Sequence, residues 1–520
     1  MGFKKIIVVI TVITAAILEL IDTSIVNVGL NEMAGNLGVG IEDVAWVVTS
    51  YAIANVVVIP MTGFFQRYFG RKNYFMASIA LFTIASFFCG YASDLWTLVA
   101  FRFIQGIGGG ALLSVSQGIL FDTFEINQRP MASAIFGIGV VIGPTFGPTL
   151  GGLIVDNYHW SWMFLINIPV GILALILSNA FIEKKPDEIK IDRSKIKVDG
   201  LGIALLAGWV GPLQYVLERG ASDDWFDSPT ITAFTIITVV CFGLFIWREL
   251  ATRNPVVDIR VLKNRNLAIG TILIIIIGFG LFSSVFMYPL FAQRITGYTA
   301  TMTGMLLIPG AGFMLFIFPI VGKLLQNGTP PRIMVFFGYI GFFIFCMMMS
   351  RLNADATQWM FISALMVRGI ALAMTNIPLI NSSVSTLTPQ QMPMGIAVSN
   401  MFRQLGGAMG IAVLNTYIHN RTAQHRTDLI ANVVAGQPLT DERVGGISNA
   451  LISKGINAFD ASKLALANIE GVIAKQSLLL SYLDSFQLVA AFFVLSLPII
   501  LLIEKKKVTA AAMKAAAEAH

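Results

Sequence analysis

Fourteen apolar stretches punctuate this chain. Each is long enough to cross the roughly 30 Å of hydrocarbon that about 20 apolar residues span as a helix. They cover residues 6–30, 44–65, 74–92, 95–119, 131–155, 163–182, 199–218, 229–248, 267–292, 301–324, 332–350, 357–381, 393–418 and 484–503. Charged residues make up 12% of the 520, where a soluble chain carries about 25%. Mean hydropathy is +0.76. The chain reads as an all-α polytopic membrane protein. The first run, behind Lys4 and Lys5, is too long for a signal core and continues without a cleavage site, so it reads as an uncleaved span.

Lysine and arginine set the orientation, because cytoplasmic loops carry the excess of positive charge. With the N-terminus inside, cytoplasmic segments hold Lys4, Lys5, Arg67, Arg71, Lys72, Lys184 and Lys505 to Lys507 among others. The short outer loops hold only Arg219, Arg294 and Arg351. This asymmetry asks for an even span count and puts both termini in the cytoplasm. Two charged stretches, Glu183–Val198 and Arg248–Asn266, read as cytoplasmic linkers. The chain then divides into a six-helix bundle over residues 1–182, linkers with two inserted helices over 183–266, a second six-helix bundle over 267–503, and a tail over 504–520. Arg102-Phe103-Ile104-Gln105-Gly106 in span 4 has a thinner echo in Arg368-Gly369 of span 12. Two related halves facing one cavity would produce such an echo. The outer segment 419–483 is too polar to insert and too long for a simple turn. Asp460-Ala461-Ser462-Lys463 reads as a helix start, and periodicity continues through Ile473 and Leu478, which predicts an extracytoplasmic helical hairpin.

Several function classes drop out. Basic loops on one side account for the net charge of +6, so no nucleic-acid partner is implied. Cys89, Cys241 and Cys346 all fall in apolar runs, which argues against a disulfide framework. None of His159, His419, His425 and His520 lies in a span, and no metal-ligand spacing or phosphate-cradling glycine loop occurs. A membrane-embedded enzyme, which needs a nucleophile–base or metal constellation, is disfavoured. No cofactor is expected.

The chemistry-bearing residues lie inside the spans. Glu19 and Asp22 sit in the first, where a charge costs roughly 2.5–3.5 kcal/mol on insertion scales. Three residues apart, they share one helical face, the geometry of a proton-carrying site beside a cavity. The plainer alternative is that Glu19 snorkels or pairs with a buried arginine. Span 4 carries Arg102, which stays charged at any relevant pH, and which beside a titrating carboxylate helps return a proton; the alternative is an arginine bonded to backbone carbonyls. Gln105 follows, with Gly106, Gly108, Gly109 and Gly110, whose smallness lets another helix come close. Span 5 reads Gly139-Val140-Val141-Ile142-Gly143-Pro144-Thr145-Phe146-Gly147-Pro148-Thr149-Leu150-Gly151-Gly152, a kinked, smooth face. A tight cytoplasmic turn runs from Gly63 through Gly70, Arg71 and Lys72. Asn27 and Gln105 are expected as polar cavity contacts. Arg403, in span 13, either pairs with an acid across the bundle or bonds backbone.

These segments resemble the major facilitator superfamily, specifically its fourteen-helix drug:proton antiporter branch, the EmrB-like multidrug exporters. The likeness rests on Asp22, Thr23, Ile25, Val26 and Asn27; on Arg102, Gln105, Gly106 and Gly108; on Gly139, Gly143, Pro144, Gly147, Pro148, Gly151 and Gly152; on Trp160–Gly171; on Leu217–Gly220; and on Asn400–Gly407. It implies two six-helix bundles plus two inserted helices. It implies a proton-coupled antiporter of hydrophobic or amphipathic compounds in a bacterial inner membrane, driven by the proton gradient. Proton coupling would fall to Asp22, Glu19 and Arg102, and a periplasmic adaptor protein leading to an outer-membrane channel would dock on the outer hairpin. The rival readings are a dedicated exporter of one lipid-like compound or metabolite, such as a fatty acid, and a facilitator or importer, against which the span 5 pattern argues. The chain departs from the family pattern at Arg67, where an acid is usual, at Ser161, which replaces an arginine, and at Glu19, an additional acid.

Overall fold

The computed structural model describes residues 3–125, 128–184, 199–252, 255–388, 390–434 and 436–503, with side chains at all of these except 41, 42, 141, 142, 144, 145 and 300. The tail over 504–520 and most of the linker Glu183–Val198 lie outside the described residues. All regular structure within them is helical. In chain order the helices are α1 (Phe3–Leu37), α2 (Trp46–Phe69), α3 (Arg71–Gly90), α4 (Leu95–Thr123), α5 (Arg129–Asn157), α6 (Trp162–Phe181), α7 (Gly200–Arg219), α8 (Pro229–Ala251), α9 (Arg265–Arg294), α10 (Ala300–Gln326), α11 (Pro331–Met349), α12 (Gln358–Val384), α13 (Met392–Ile430), α14 (Pro438–Ile452) and α15 (Ala458–Ile500). Among the described residues, 12 are long and apolar enough to cross a membrane. The other two expected spans coincide with α5 and α13, of 29 and 39 residues.

Local chemistry sets the helix ends. Asp94, Asn264, Thr299 and Asn457 each accept a hydrogen bond from a backbone N–H three residues on, the standard use of these side chains at a first turn. Gly70, at φ +82°, makes the sharp turn between α2 and α3, a conformation that costs glycine least. Arg71 beyond it forms an ion pair with Asp122 at the end of α4. Lys4 and Glu183 pair likewise, so α1 begins where α6 ends.

Helices α1–α6 pack as one bundle and α9–α13 with α15 as another. The inserted pair α7 and α8 lies beside them, α7 against α2 and α13. Most of α8 is exposed apolar surface, including Ile236, Val239, Val240, Leu244 and Trp247, as befits a helix facing lipid. Glycines let backbones meet: a Cβ at Gly278 would overlap the carbonyl of Arg403, and one at Gly406 that of Ile275. On α5, a Cβ at Gly143 would lie 2.5 Å from Leu20 Cβ, and one at Gly147 2.5 Å from Ser24 Cβ, so α5 rides directly on α1. Gly152 has nothing within 4 Å.

The halves meet unevenly. At the end where α1 begins, one apolar cluster joins α2, α7, α8, α9, α12 and α13, through residues such as Ile59, Met61, Trp209, Phe245, Met392 and Met394. A Cβ on Gly63 would lie 3.1 Å from Met394 Cα. Asn400 Nδ2 donates to Ser114 Oγ across the halves at 2.9 Å, and Asn381 Nδ2 to Ser133 Oγ at 3.0 Å. At the opposite end, the cluster around Ile25, Val47, Leu98, Trp160 and Phe164 draws on the first bundle alone among the described residues. The molecule is sealed at the first end; towards the second the halves keep contact along α5 and α10, where a Cβ at Gly304 would lie 3.2 Å from Thr149 Oγ1.

The outer hairpin differs from expectation. It is no insert between two spans: α13 runs on to Ile430, and α15 begins at Ala458, so both spans extend beyond their predicted limits of 418 and 484. The polar residues there keep the helical period, so nothing breaks either helix. The start near Asp460 lies three residues earlier, at the Asn457 cap. Arg421 Nε donates to Asp484 Oδ2 (2.7 Å), His425 Nε2 lies 2.8 Å from the same oxygen, and Thr422 Oγ1 bonds Ser481 Oγ (2.9 Å), tying the two rods at their base.

Replacing Gly406 by valine should force α9 and α13 apart and destabilise the protein by about 1–3 kcal/mol, as overpacking does. Gly471→Ala, with nothing within 4 Å on exposed α15, should be neutral or stabilising. Thermal melts of the two purified variants, monitored by tryptophan fluorescence, check the contrast.

Candidate functional site

Asp22 is 0% exposed and Arg102 1%. Arg102 Nη1 donates to Asp22 Oδ2 at 2.6 Å, so α1 and α4 are joined by a buried ion pair. The other carboxylate oxygen has two donors. Gln105 Nε2 and Asn167 Nδ2 donate to Asp22 Oδ1 at 2.9 and 2.7 Å. Gln105 Nε2 also donates to Ser86 Oγ (2.7 Å), and its Oε1 accepts from Arg102 Nη1 (2.7 Å). Arg102 Nε donates to the Val47 carbonyl at 3.0 Å. The guanidinium lies 4.2 Å from the Tyr51 ring centre and 5.5 Å from that of Phe164, a distance at which aromatic faces attract cations. Arg102 therefore has neutral partners as well as its charged one. Gly106 admits this arrangement, since a Cβ there would stand 2.5 Å from the Tyr51 carbonyl.

Glu19 is 5% exposed and has different partners. Asn55 Nδ2 donates to its Oε1 at 3.0 Å, and the backbone N–H of Leu113 to its Oε2 at 3.1 Å. Gly109 and Gly110 bring α4 against Asn55: a Cβ at Gly109 would lie 3.3 Å from Asn55 Nδ2, and one at Gly110 2.7 Å from the Asn55 carbonyl. Arg403, in the facing half, lies within electrostatic reach of Glu19. It lines a recess with Ile274, Ile277, Leu379, Ile380, Asn376 and Asn400. Arg368, the echo of Arg102, donates from Nη1 to Ser284 Oγ at 3.1 Å.

The expected residues thus separate. Asp22, Arg102 and Gln105 form one network, and Gln105 is a fully buried member of it rather than a cavity wall. Glu19 stands apart, facing Arg403. Asn27 is exposed on α1, and its Nδ2 donates to its own Thr23 carbonyl at 3.0 Å, outside both networks. Gly63, Gly70 and Arg71 shape the sealed end; Gly143, Gly147 and Gly151 hold α5 to α1. Pro148 lies on the same helix, and the Pro144 side chain falls outside the described residues. Sequence reasoning missed Asn55, Ser86, Tyr51 and Asn167 as site residues. Asn55 in an otherwise apolar run was a readable signal, since polar residues at membrane depth need partners. Which partner each finds is a tertiary matter.

The family model described as Major Facilitator Superfamily matches residues 12–411. Multidrug export protein EmrB of Escherichia coli (strain K12) is 33% identical over 440 residues, 83% of this chain and 84% of that protein. Fatty acid resistance protein FarB of Neisseria gonorrhoeae is 31% identical over 487 residues, covering 94% and 93%. Among solved structures, the human organic anion transporter MFSD10 (TETRAN) superposes with a TM-score of 0.56 at 13% identity, covering 95% of this chain and 100% of that one, a likeness of fold alone.

Breaking one side of a buried ion pair costs about 3–5 kcal/mol, because the other charge is left unpaired. Arg102→Gln should therefore melt well below the parent. Adding Asp22→Asn to it should recover part of the loss, a coupling of at least about 1 kcal/mol in a double-mutant cycle. Additive losses would mean that the two charges are energetically independent.

Proposed function

The chain belongs to the major facilitator superfamily, and on that premise we propose that it exports hydrophobic and amphipathic drugs in exchange for protons, by alternating access across a bacterial inner membrane. The observation that carries this reading is the Asp22–Arg102 pair, ionisable, enclosed and held inside one bundle. The likeness to multidrug export proteins over most of the chain supplies the cargo class. The excess of lysine and arginine supports a cytoplasmic position for the sealed end, which in this reading makes the described arrangement outward-facing.

In this arrangement the carboxyls take protons from outside. Arginine keeps its charge, so Asp22 is the partner that changes. Once Asp22 is neutral, Arg102 is held by the Val47 carbonyl, Gln105 and the Tyr51 ring. Glu19, at the face between the halves, is the second proton acceptor, and neutralising it removes its attraction for Arg403. The contacts Gly63–Met394, Asn400–Ser114 and Asn381–Ser133 then part, the cytoplasmic end opens, and protons leave as Arg102 recaptures Asp22. Cargo entering from the lipid or cytoplasm restores the ionised, outward-facing form. The recess at Arg403 supplies part of the cargo wall. The proton gradient is the energy source, and no cofactor takes part.

The paired rods of α13 and α15 would dock a periplasmic adaptor protein that leads to an outer-membrane channel; their length beyond the spans supports this. A cargo range narrowed to one fatty-acid-like amphiphile is the second reading, favoured by the similarity to FarB. A sharp rather than flat profile across a panel of amphiphiles would select it.

Adding a lipophilic cation such as ethidium to purified protein in weakly buffered detergent should release protons from the parent and none from Asp22→Asn, which should insert in the membrane normally yet export nothing. Transport unchanged in that variant would sink the mechanism. Replacing residues 427–476 by a short Gly/Ser loop keeps the Arg421–Asp484 tie. It should abolish whole-cell efflux and spare transport in reconstituted vesicles if the rods dock an adaptor.

A further inference from the structure

Outside the Asp22 network, the inserted helices hold a second buried acid. Glu249, near the end of α8, is 0% exposed, and among the described residues its carboxyl meets no side-chain donor, only the backbone amides of Val256 and Val257. The groups around it are few. Asp199 caps α7 by accepting from the Gly202 N–H at 3.0 Å. Arg248, on α8, faces Glu249 but is spent on Asp199, with Nε 3.1 Å from Oδ2. Burial opposes the charge on Asp199, yet Arg248 and the Gly202 amide outweigh it and hold that carboxyl below the usual range. Asp258 approaches Glu249 from the following segment and is itself faced by Arg67 of α2. The amides of Val256 and Val257 complete the surroundings. Glu249 therefore lies between two other acids with no cation of its own. An ionised carboxylate in such a place is far more costly than a neutral one.

What covers it is the segment 255–263. Val256, Val257 and Val261 are 0%, 2% and 3% exposed, inserted among Ile59, Met61, Trp209, Phe245 and Met394 at the sealed junction of both halves. Arg260 fastens the segment by donating from Nη2 to the carbonyls of Leu250 (2.8 Å) and Thr252 (3.1 Å), the last turn of α8. The segment is a strap across the cytoplasmic mouth, and any opening of that mouth must disturb it.

We propose that Glu249 is a proton-binding site, occupied while the strap is seated and emptied when the strap lifts and water reaches the carboxyl. The sign follows from linkage: the seated form binds one proton more than the lifted form, so acid seats the strap and rising pH frees it. This site senses cytoplasmic pH separately from the transported protons at Asp22. It rests on the proposed function only for which side is cytoplasmic.

The test is hydrogen exchange of residues 255–263 in the full-length protein in lipid nanodiscs, corrected for the intrinsic pH dependence of exchange. In the parent, opening should grow with pH, by up to about tenfold per unit, the limit for one proton. Glu249→Gln, neutral at every pH and of the same shape, should flatten that dependence, and Glu249→Asp should retain it. A flat parent profile, or a Glu249→Gln profile that follows the parent, overturns the proposal. A second readout is maleimide labelling of Val257→Cys in a background with serine at positions 89, 241 and 346. After correction for the thiolate fraction, which by itself rises with pH, labelling should still increase with pH when Glu249 is present and lose that excess once Glu249→Gln is added; a corrected rate independent of pH in the parent overturns the idea again. Neither readout involves cargo, so a failure of the export reading leaves both interpretable.

Discussion

A buried ion pair depends on the geometry of its donors, and the Asp22–Arg102 pair imposes that geometry on five helices. α1 supplies the carboxylate, and α4 the guanidinium and Gln105. α6 brings Asn167, α3 brings Ser86, and α2 brings the Val47 carbonyl and the Tyr51 ring. In hydrocarbon, apolar side chains have little reason to prefer one another over lipid, so shape and polar contacts decide which helices associate. Gly106, Gly109 and Gly110 on α4 bring the backbones close enough for these hydrogen bonds to be short. The first bundle is thus organised around its charge, and the charge survives because the bundle encloses it.

The interface between halves is built differently. Its described hydrogen bonds, Asn400–Ser114 and Asn381–Ser133, are neutral, each contributing about 0.5–1.5 kcal/mol net, and Glu19 faces Arg403 across it without a direct hydrogen bond among the described contacts. The rest is apolar surface that closes at one end. Against about 3–5 kcal/mol for breaking a buried ion pair, such contacts separate first. The magnitudes therefore favour bundles that move as units and a seam that parts, with the Asp22–Arg102 network lying inside one of them rather than across the seam.

Much of this was legible in the sequence for a specific reason. Apolar runs are local, and the membrane allows them one secondary structure, so the spans could be placed from residues alone. Asp22 and Arg102 were visible because each breaks such a run. Their partners were not: Asn167 lies 145 positions from Asp22, and nothing local distinguishes it from any other asparagine near a helix start. Gln105 was visible but assigned to the cavity, since spacing cannot tell an inward face from a neighbour's face. The backbone N–H that meets Glu19 has no side-chain signature at all. The helical hairpin was legible, but its joints with the spans were not: a drop in hydropathy at residue 419 reads as a helix end, whereas water and lipid both tolerate a helix whose pattern continues. Glu249 sits in a stretch of ordinary linker charge, and only the fold buries it.

The continuity of α13 and α15 has one more consequence. At 43 residues α15 is about 64 Å long, roughly twice the hydrocarbon thickness. No joint separates its outer half from the part packed in the second bundle, and the Arg421–Asp484 tie braces it against its neighbour. The rods then act as an indicator needle fixed to that bundle. For each about 10° of tilt, a point about 35 Å out sweeps about 6 Å sideways. Any tilt of that bundle would be displayed, mechanically and without a chemical messenger, to whatever stands beside the needle's tip.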